Sequence, residues 1–502
     1  MLLLSRLRVA GSCLTKLSLT GICLAGSLSV SFVGGAYAQT SNTTTVAGSL
    51  EGEFAVDDSG AATYSIPISV PPGIAGNEPR LTLSYSSQAG NGPLGVGWGL
   101  SGLSAITRCG QRLVPHGKIH GVDFSAADRF CLDGQRLVAV SGDYGADGTE
   151  YRTEIESYAK VISNGTAGTG PESFTVWSKG GLVLEYGATD DSRIEAIKAD
   201  GTARSEARIW ALNKQSDRSD NAITYSYTED QSNGSYRINR IDYGGNISAG
   251  TTATSSVRFI YEDRTDIRTW YQAGAKVTQD KRLANIQTYE AETLVSDYKV
   301  NYDYGGEASS SRTTSIQICN TVNDCLKQIW LKYSVVKSSN GSFEEPIVWS
   351  RSGNWTGSVP HLGDFNGDGL TDVAAIYMGT GGAQINLISS DRNQNALVKL
   401  VTSRGHETSI SYTPLTDKFV YTKGSGAVYP EQDYVSPLSV VQSVERDDGI
   451  GGKRKIEYSY AGAMVDVKRG SFLGFKQITS KDVQRGTETI TNYRQDWPFV
   501  RR

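Results

Sequence analysis

Short runs in which apolar and polar residues alternate recur along this chain of 502 residues, and they restrict its fold more than any other feature. A period of two buries one face of an extended strand, and the glycines and prolines between the runs supply turns. The runs include Tyr64–Val70, Arg80–Ser86, Ile223–Tyr227, Val257–Tyr261, Tyr298–Tyr304 and Ile329–Ser334. Since the sequence contains no long amphipathic pattern of helical period, it predicts an all-β chain.

The strand-like runs also form a rough internal repeat, with a period of about 30–40 residues. A single hairpin cannot bury its own apolar face, whereas many stacked hairpins form a continuous sheet that curls. The pattern therefore predicts a curled sheet of repeated hairpins.

One glycine-rich segment fits a nucleotide-binding pattern. Gly97-Trp98-Gly99-Leu100-Ser101-Gly102 matches G-x-G-x-x-G. That fingerprint requires a helix that begins at the third glycine and points at a pyrophosphate. Leu100–Arg108 has no helical periodicity, and Cys109-Gly110 would end a helix early. We interpret the segment as a strand and a turn.

The region around this segment closely resembles the N-terminal region of SpvB-type virulence proteins and of the TcB component of bacterial insecticidal toxin complexes. Other segments resemble the TcB middle region or, in one case, a degenerate RHS repeat. The matching stretches are Tyr64–Arg108 for the N-terminal region, Val401–Pro414, Val440–Asp466 and Gly470–Gln477 for the middle region, and Trp210–Tyr227 for the RHS repeat. The resemblance implies a non-enzymatic wall of an RHS-type β shell that encloses or docks a toxin cargo. Its partners would be other toxin-complex or RHS polypeptides.

The N-terminal residues have the features of a secretory signal peptide, Met1–Ala38. Basic residues precede an apolar segment, Leu17–Val33, and Ala36-Tyr37-Ala38 forms a small-x-small cleavage site. The apolar segment is too short and too polar for a membrane span. We therefore expect a secreted protein with no integral membrane segment after the signal is removed.

The use of cysteine agrees with export. Beyond the predicted signal, four cysteines remain as two pairs that are close in sequence, and three connectivities are possible. An oxidising compartment favours the local disulfides, Cys109 with Cys131 and Cys319 with Cys325. A zinc site is the alternative, but neither pair has C-x₂-C spacing.

The strongest candidate site is the segment from Asp364 to Asp372, which fits D-x-N-x-D-G-x-x-D and predicts a structural Ca²⁺. The predicted ligands are side-chain oxygens of Asp364, Asn366, Asp368 and Asp372 and the carbonyl oxygen of Leu370. An EF-hand is excluded because Ala375 stands where a bidentate glutamate is needed. The flanking residues resemble one propeller-blade hairpin of the FG-GAP/VCBS type. The alternative is an Asp/Asn/Gly turn without a metal ion.

These observations predict four segments. They are the signal peptide at 1–38, an SpvB-like β-rich domain at 39–340, the FG-GAP/VCBS-like segment at 341–395 and a TcB middle-region-like β domain at 396–502. The formal net charge is −4 and no long block has one sign, which argues against nucleic acid as a partner. Unpaired strand edges in an unfinished shell predict self-association.

Enzymatic activity is not expected. Glu154-Ile155-Glu156 fits the E-x-E motif of ADP-ribosyltransferases, but in the related family that enzyme follows the region matched here. No G-x-S-x-G or H-E-x-x-H motif is present. Two alternatives to the scaffold remain: a secreted calcium-dependent adhesin or glycan-binding protein, and part of an ADP-ribosylating toxin whose catalytic domain lies elsewhere.

Overall fold

The computed structural model describes residues 47–198, 200–305, 310–334, 347–348, 359–364, 372–379, 382–388 and 395–502. These residues all belong to one compact unit, Thr43–Arg502. Their regular structure is almost entirely β-strand, and their one α-helix, Leu113–His116, has four residues. The prediction of an all-β, curled sheet is confirmed. Within the described ranges, no helix has the length and apolar character that crossing a bilayer requires.

The first strands form a four-stranded antiparallel sheet, which we call the signature sheet because it contains most of the Tyr64–Arg108 stretch. Its order is β1-β2-β3-β6, and a small hairpin, β4 with β5, lies between β3 and β6. The strands are β1 Glu53–Val56, β2 Ala62–Pro67, β3 Thr82–Ser86, β4 Asn91–Gly92, β5 Gly95–Val96 and β6 Trp98–Ser101; a 3₁₀ turn, Ile74–Gly76, lies in the crossover. The glycines of the G-x-G-x-x-G pattern lie in and around β6 and lead into another strand, as the sequence predicts.

The next strands close into a small barrel. Each strand from β7 to β12 pairs with its successor, β13 pairs with β15, and β15 pairs back with β7. Strand β14 pairs with the first half of β15. The strands are β7 Ala105–Cys109, β8 Arg129–Leu132, β9 Gln135–Ser141, β10 Glu150–Thr153, β11 Lys160–Asn164, β12 Ser173–Trp177, β13 Val183–Tyr186, β14 Arg193–Ile197 and β15 Ala203–Ser216. Closure gives each strand from β7 to β13 a partner on both sides, which removes their open edges.

Aromatic side chains fill the barrel. The Trp210 ring lies 5.3 Å from the Phe130 ring and 5.1 Å from the Phe174 ring, in edge-to-face contact. Each is almost completely buried, and burial of such a side chain stabilises a fold by about 1.5–3 kcal/mol. The barrel is therefore a packed core rather than a pore.

Strand β15 continues through a turn into a long antiparallel meander. The following strands are β16 Asn221–Asp230, β17 Ser235–Asn246, β18 Ser255–Gln272, β19 Ala275–Glu290, β20 Thr293–Gly305, β21 Ser310–Cys319 and β22 Ile329–Tyr333. Each pairs with the next. Their burial alternates as the sequence runs predict; in β22 it is strictly alternating.

A separate four-stranded sheet follows, in the order β23-β26-β25-β24. Its strands are β23 Ile347–Val348, β24 Val359–Gly363, β25 Asp372–Gly379 and β26 Gly382–Ile388. The predicted propeller-blade hairpin corresponds to β24 and β25, which pair from Val359 with Ile376 to Gly363 with Asp372.

The meander resumes after this insertion because β22 pairs with β27. The remaining strands are β27 Leu397–Val401, β28 Glu407–Pro414, β29 Tyr421–Thr422, β30 Glu431–Asp433, β31 Ser439–Asp447, β32 Lys453–Ala461, β33 Met464–Asp466, β34 Ser471–Gly474, β35 Gln477–Asp482 and β36 Thr487–Asn492. We call the continuous sheet β15–β22, β27, β28, β31, β32, β35 and β36 the long sheet. Strands β30, β33 and β34 form a small sheet beside it. The boundaries predicted at residues 341 and 395 thus enclose an insertion between two paired strands, and the division into domains stays a prediction.

The signature sheet packs its apolar face against the long sheet. Tyr85 and Trp98 share one hydrophobic core with residues from the barrel through β31. The indole nitrogen of Trp98 donates to the Tyr333 hydroxyl at 2.9 Å, and the amide of Leu397 donates to the Tyr85 hydroxyl at 3.0 Å. The buried hydroxyls are therefore hydrogen-bonded, which removes most of the cost of burying them.

A buried ion pair fixes the β4–β5 hairpin, which begins at Asn91, to the long sheet. Arg264 and Asp266 of β18 form a bidentate pair, with Nη2 2.7 Å and Nε 2.9 Å from the carboxylate oxygens. Asn91 bridges both, since its Oδ1 accepts from Arg264 at 2.7 Å and its Nδ2 donates to Asp266 at 2.8 Å. The amide and hydroxyl of Ser311 in β21 also donate to Asp266. We call these four residues the clamp.

The electrostatics of the clamp follow from its hydrogen bonds. Burial alone would favour the neutral acid, but the bonds from Arg264, Ser311 and Asn91 outweigh it and hold the pKa of Asp266 far below its ordinary value. The Arg264 side chain is completely buried and the Asp266 side chain is 5% exposed. Each charge thus depends on the other for solvation.

We expect Asp266→Ala to destabilise the protein strongly, because it leaves the Arg264 guanidinium buried without its counter-ion, at a cost of about 3–5 kcal/mol. The matched control is Asp263→Ala in the same strand. Asp263 pairs with Lys281, but its side chain is 85% exposed, so its loss should cost less than about 1 kcal/mol. Guanidinium denaturation, followed by tryptophan fluorescence, compares the two variants. Equal midpoints would contradict the role assigned to the clamp.

Candidate metal loop, clefts and open sheet edge

The predicted calcium loop joins β24 to β25. Gly363 and Asp372 face each other in the ladder, so the hairpin brings the two ends of the loop, Asp364 and Asp372, close together. Asn366, Asp368 and Leu370 lie outside the described residues. Among the residues that are described, no group of three or more His, Cys, Asp or Glu side chains could hold a metal ion. The calcium site stays a prediction.

The glutamates of the E-x-E pattern take part in structural contacts. Glu154 Oε1 lies 3.2 Å from Arg469 Nη1, and the two side chains are 18% and 20% exposed. Arg469 also lies 3.4 Å from Asp466. Glu156 accepts a hydrogen bond from the amide of Tyr158. The ion pair joins the barrel to the last third of the chain, which the sequence pattern gives no means of anticipating.

Both predicted disulfide pairs are present in the structure. Cys109–Cys131 joins neighbouring barrel strands β7 and β8, with Cα atoms 6.1 Å apart. Cys319–Cys325 closes a short loop after β21, with Cα atoms 4.0 Å apart. Each bond therefore links segments that the sheet already holds close together.

The tryptophans named as candidates for sugar stacking divide into two groups. Trp98 and Trp210 are buried in the core. Trp177 and Trp270 are 38% and 44% exposed, and the Trp177 ring has the ammonium group of Lys160 5.5 Å from its centroid. The sequence could not separate the two groups, because both lie in alternating runs.

Two clefts flank the signature sheet. One, of 590 Å³, lies over its polar face and is lined by Ser65, Ser84, Ser86 and Gly99. Its lining residues are uncharged apart from Arg268, and they also include Tyr64, Tyr85 and Trp98. Such a surface offers few groups that could orient a reacting substrate.

The second cleft, of 510 Å³, lies between the signature sheet, the barrel and the long sheet. Its walls include the rings of Tyr227, Tyr236 and Tyr261, with Arg237 stacked 5.5 Å over the Tyr261 ring. The hydroxyls of Tyr227 and Tyr261 donate to main-chain carbonyls. These tyrosines thus brace the strands that form the walls.

A perturbed carboxyl group lies near the junction of the barrel and the long sheet. Burial and the nearby Glu195 carboxylate raise the pKa of Glu229 in β16 from 4.5 to about 7. Its Oε1 is buried and has no hydrogen-bond partner within the described ranges. Arg208 is a cation that favours the charged form of Glu229, and its own pKa is lowered by burial. No sequence motif marks Glu229, since it stands in an ordinary Thr-Glu-Asp run.

The long sheet ends in the described chain at β36. This strand pairs with β35 along its whole length, and all six of its residues are exposed. An exposed edge presents backbone N–H and C=O groups to which another strand can pair. Among the described residues, β36 therefore presents one unpaired side, and self-association through it stays a prediction.

The described residues form an all-β fold with a closed barrel at one end and an exposed edge strand, β36. Comparison with protein families places it more closely. The model described as the Salmonella virulence plasmid 65kDa B protein, SpvB, matches residues 56–331. The model described as the middle/N-terminal region of the insecticide toxin TcdB matches residues 334–499. The chain belongs to the SpvB family, whose model covers more than half of it.

Solved structures share the fold. The crystal structure of TcdB2-TccC3 matches with a TM-score of 0.63 and 13% identity, over 91% of this chain and 38% of that chain. A Tc holotoxin pore from Photorhabdus luminescens matches with a TM-score of 0.59 and 13% identity, over 89% of this chain and 36% of that chain. The present chain thus spans less than two fifths of the solved chains. No curated protein sequence matches it.

The raised pKa of Glu229 predicts a pH-dependent stability. Between pH 4.5 and 7 the folded state keeps a proton that the unfolded state releases, so this group favours folding most below its ordinary pKa. That contribution is lost as the pH rises towards 7. We expect Glu229→Gln to raise the melting temperature at pH 8 and to change it little at pH 4.5.

Thermal melts of the wild type and of the variant between pH 4.5 and 8 measure this difference. Glu53→Gln, at an exposed position of β1, is the matched control and should follow the wild type throughout. A Glu229→Gln variant whose melting temperature differs from the wild type equally at both ends of the range would refute the assignment.

Proposed function

We propose that this chain is an exported, non-enzymatic scaffold of a toxin complex, in which the long sheet forms part of a β shell that encloses or docks a cargo. The observation that carries the proposal is the continuity of the long sheet from the barrel to β36, across the insertion of residues 335–394. A continuous hydrogen-bonded sheet is a wall without gaps in its backbone ladder.

The two ends of that wall support the same interpretation. The barrel closes one end, and β36 leaves the other end available for a further strand. The family match to the TcdB middle region and the shared fold with TcdB2-TccC3 agree with a wall that other polypeptides complete.

Export is the second part of the proposal. It rests on the basic, apolar and small-x-small segments of Met1–Ala38 and on the two disulfides, which persist in oxidising compartments. The third part, the lack of enzymatic activity, is supported by the structural contacts of Glu154 and Glu156, the motif residues that most suggest a transferase.

The shell proposal predicts a partner polypeptide with RHS repeats. We expect the genomic region next to this gene to encode one, and we expect co-expression to yield a stable complex of the two chains on size-exclusion chromatography. In that complex, proteinase K should digest the partner more slowly than it digests the partner alone. Serum albumin in place of this chain is the control. Absence of such a gene, or equal protection by albumin, would count against an enclosing role.

We also propose that the Asp364–Asp372 loop binds Ca²⁺ and rigidifies the β24–β25 hairpin. Three carboxylates within nine residues repel one another unless a cation lies between them. The hairpin pairing of Gly363 with Asp372 supports a loop whose ends meet.

Isothermal calorimetry tests the calcium loop. The full chain should show one binding event with a dissociation constant on the order of 10⁻⁴–10⁻³ M, the range of extracellular calcium modules. Asp368→Ala should abolish the heat. Asp190→Ala, at a fully exposed carboxylate outside the loop, should leave it unchanged. A flat titration of the wild type, or an unaltered one in Asp368→Ala, would remove the site.

A further inference from the structure

The register of β35 and β36 determines which backbone groups face the open edge. The amide of Tyr493 donates to the carbonyl of Lys476, which continues the β35–β36 ladder by one pair. Hydrogen-bonded pairs alternate along an antiparallel ladder. The odd-numbered residues of β36 are therefore bonded to β35, and the N–H and C=O groups of Glu488, Ile490 and Asn492 point away from it.

The other side of β35 agrees with this assignment. The amide of Val483 donates to the carbonyl of Lys455, next to the last pair of β32 with β35. Odd-numbered residues of β35 thus bond to β32, and its even-numbered residues bond to β36. The outward direction of the three even-numbered groups of β36 follows from both sides.

We propose that this edge pairs with the same edge of a second copy of the chain, in an antiparallel and two-fold symmetric arrangement. The register that fits places Ile490 opposite Ile490 of the second copy and Glu488 opposite Asn492 of the second copy. All three outward-facing residues then meet in hydrogen-bonded pairs, which form about six backbone hydrogen bonds. A shift of two residues leaves one pair fewer in either direction, and it sets the polar side chain of Glu488 or of Asn492 against an isoleucine.

The side chains are complementary in this register. Ile490 is 55% exposed in the single chain and packs against its own copy at the symmetry axis. The amide oxygen of Asn492 accepts from Gln477 at 3.1 Å, so its amide nitrogen can donate to Glu488 of the second copy. Lys481 lies 3.4 Å from Glu488 and offsets its charge.

The opposite face of the strand fits as well. Thr489 lies opposite Thr491 of the second copy, and threonine pairs across strands are favourable. Nowhere in the paired strands do like charges face each other. Because the contact is isologous, the two-fold axis repeats every favourable pair, and the dimer closes without further growth. This association needs neither a cargo nor a different polypeptide. It uses the edge that the shell proposal leaves for a further strand, so a partner strand added there and the second copy exclude each other.

Sedimentation velocity of the full chain over a range of concentrations tests the proposal. We expect a concentration-dependent species of twice the monomer mass. Ile490→Lys places two ammonium groups opposite each other at the axis and should weaken the association roughly tenfold or more. Ile450→Lys, at a 92% exposed residue in the turn between β31 and β32, is the matched control and should leave the association unchanged.

Cysteine cross-linking tests the register. Residues that face each other in a hydrogen-bonded pair have Cα atoms about 5.5 Å apart, within reach of a disulfide. Ile490→Cys should therefore form a covalent dimer under mild oxidation, whereas Thr489→Cys, which faces Thr491, should form it much more slowly. A monomer at every concentration, an association that Ile490→Lys leaves intact, or equal rates for the two cysteine variants would overturn the proposal.

Discussion

The apolar face of the long sheet must be covered, and the rest of the structure depends on how the signature sheet covers it. An antiparallel sheet with one apolar face cannot remain in water without a second layer. Here that layer is built from the most distinctive stretch of the sequence. Trp98 and Tyr85 place large rings into the common core, and their polar atoms bond to Tyr333 and to the main chain of β27. One small sheet thereby joins strands that are hundreds of residues apart.

Buried charge gives this packing its specificity. Apolar contacts alone would tolerate a shift of the signature sheet, because Leu, Ile and Tyr pack in several arrangements. The clamp tolerates little, since Arg264 and Asp266 are desolvated and require the amide of Asn91 and the main chain of Gly92 at fixed positions. The position of the Asn-Gly-Pro turn is thus fixed by its hydrogen bonds to a bidentate ion pair. The same argument explains the pair between Glu154 and Arg469, which joins the barrel to the last third of the chain.

The distribution of polar groups is that of a framework. The carboxylates of the E-x-E motif, Glu154 and Glu156, are committed to an ion pair and a turn, and Tyr227 and Tyr261 of the second cleft brace main-chain carbonyls. Glu229 is the exception, because its carboxyl is buried beside another carboxylate and becomes charged near neutral pH. The backbone of β36 is another place among the described residues where hydrogen-bonding capacity is left over. A further strand that paired there would extend the long sheet.

Local pattern alone determined the strands, the all-β class and the closeness of each cysteine pair. Alternation in runs such as Tyr64–Val70 fixes which face of a strand is buried, and glycine and proline fix where it ends. The tertiary structure decided the partners of those strands. Register between distant segments determines the closure of β15 on β7 and the pairing of β22 with β27 across the insertion. It also determines the hydrogen bond that Arg264 donates to Asn91, 173 residues away in sequence. Period-two alternation is the same in every strand, so it cannot specify which strand pairs with which; only the simultaneous satisfaction of buried polar groups in the folded protein does so.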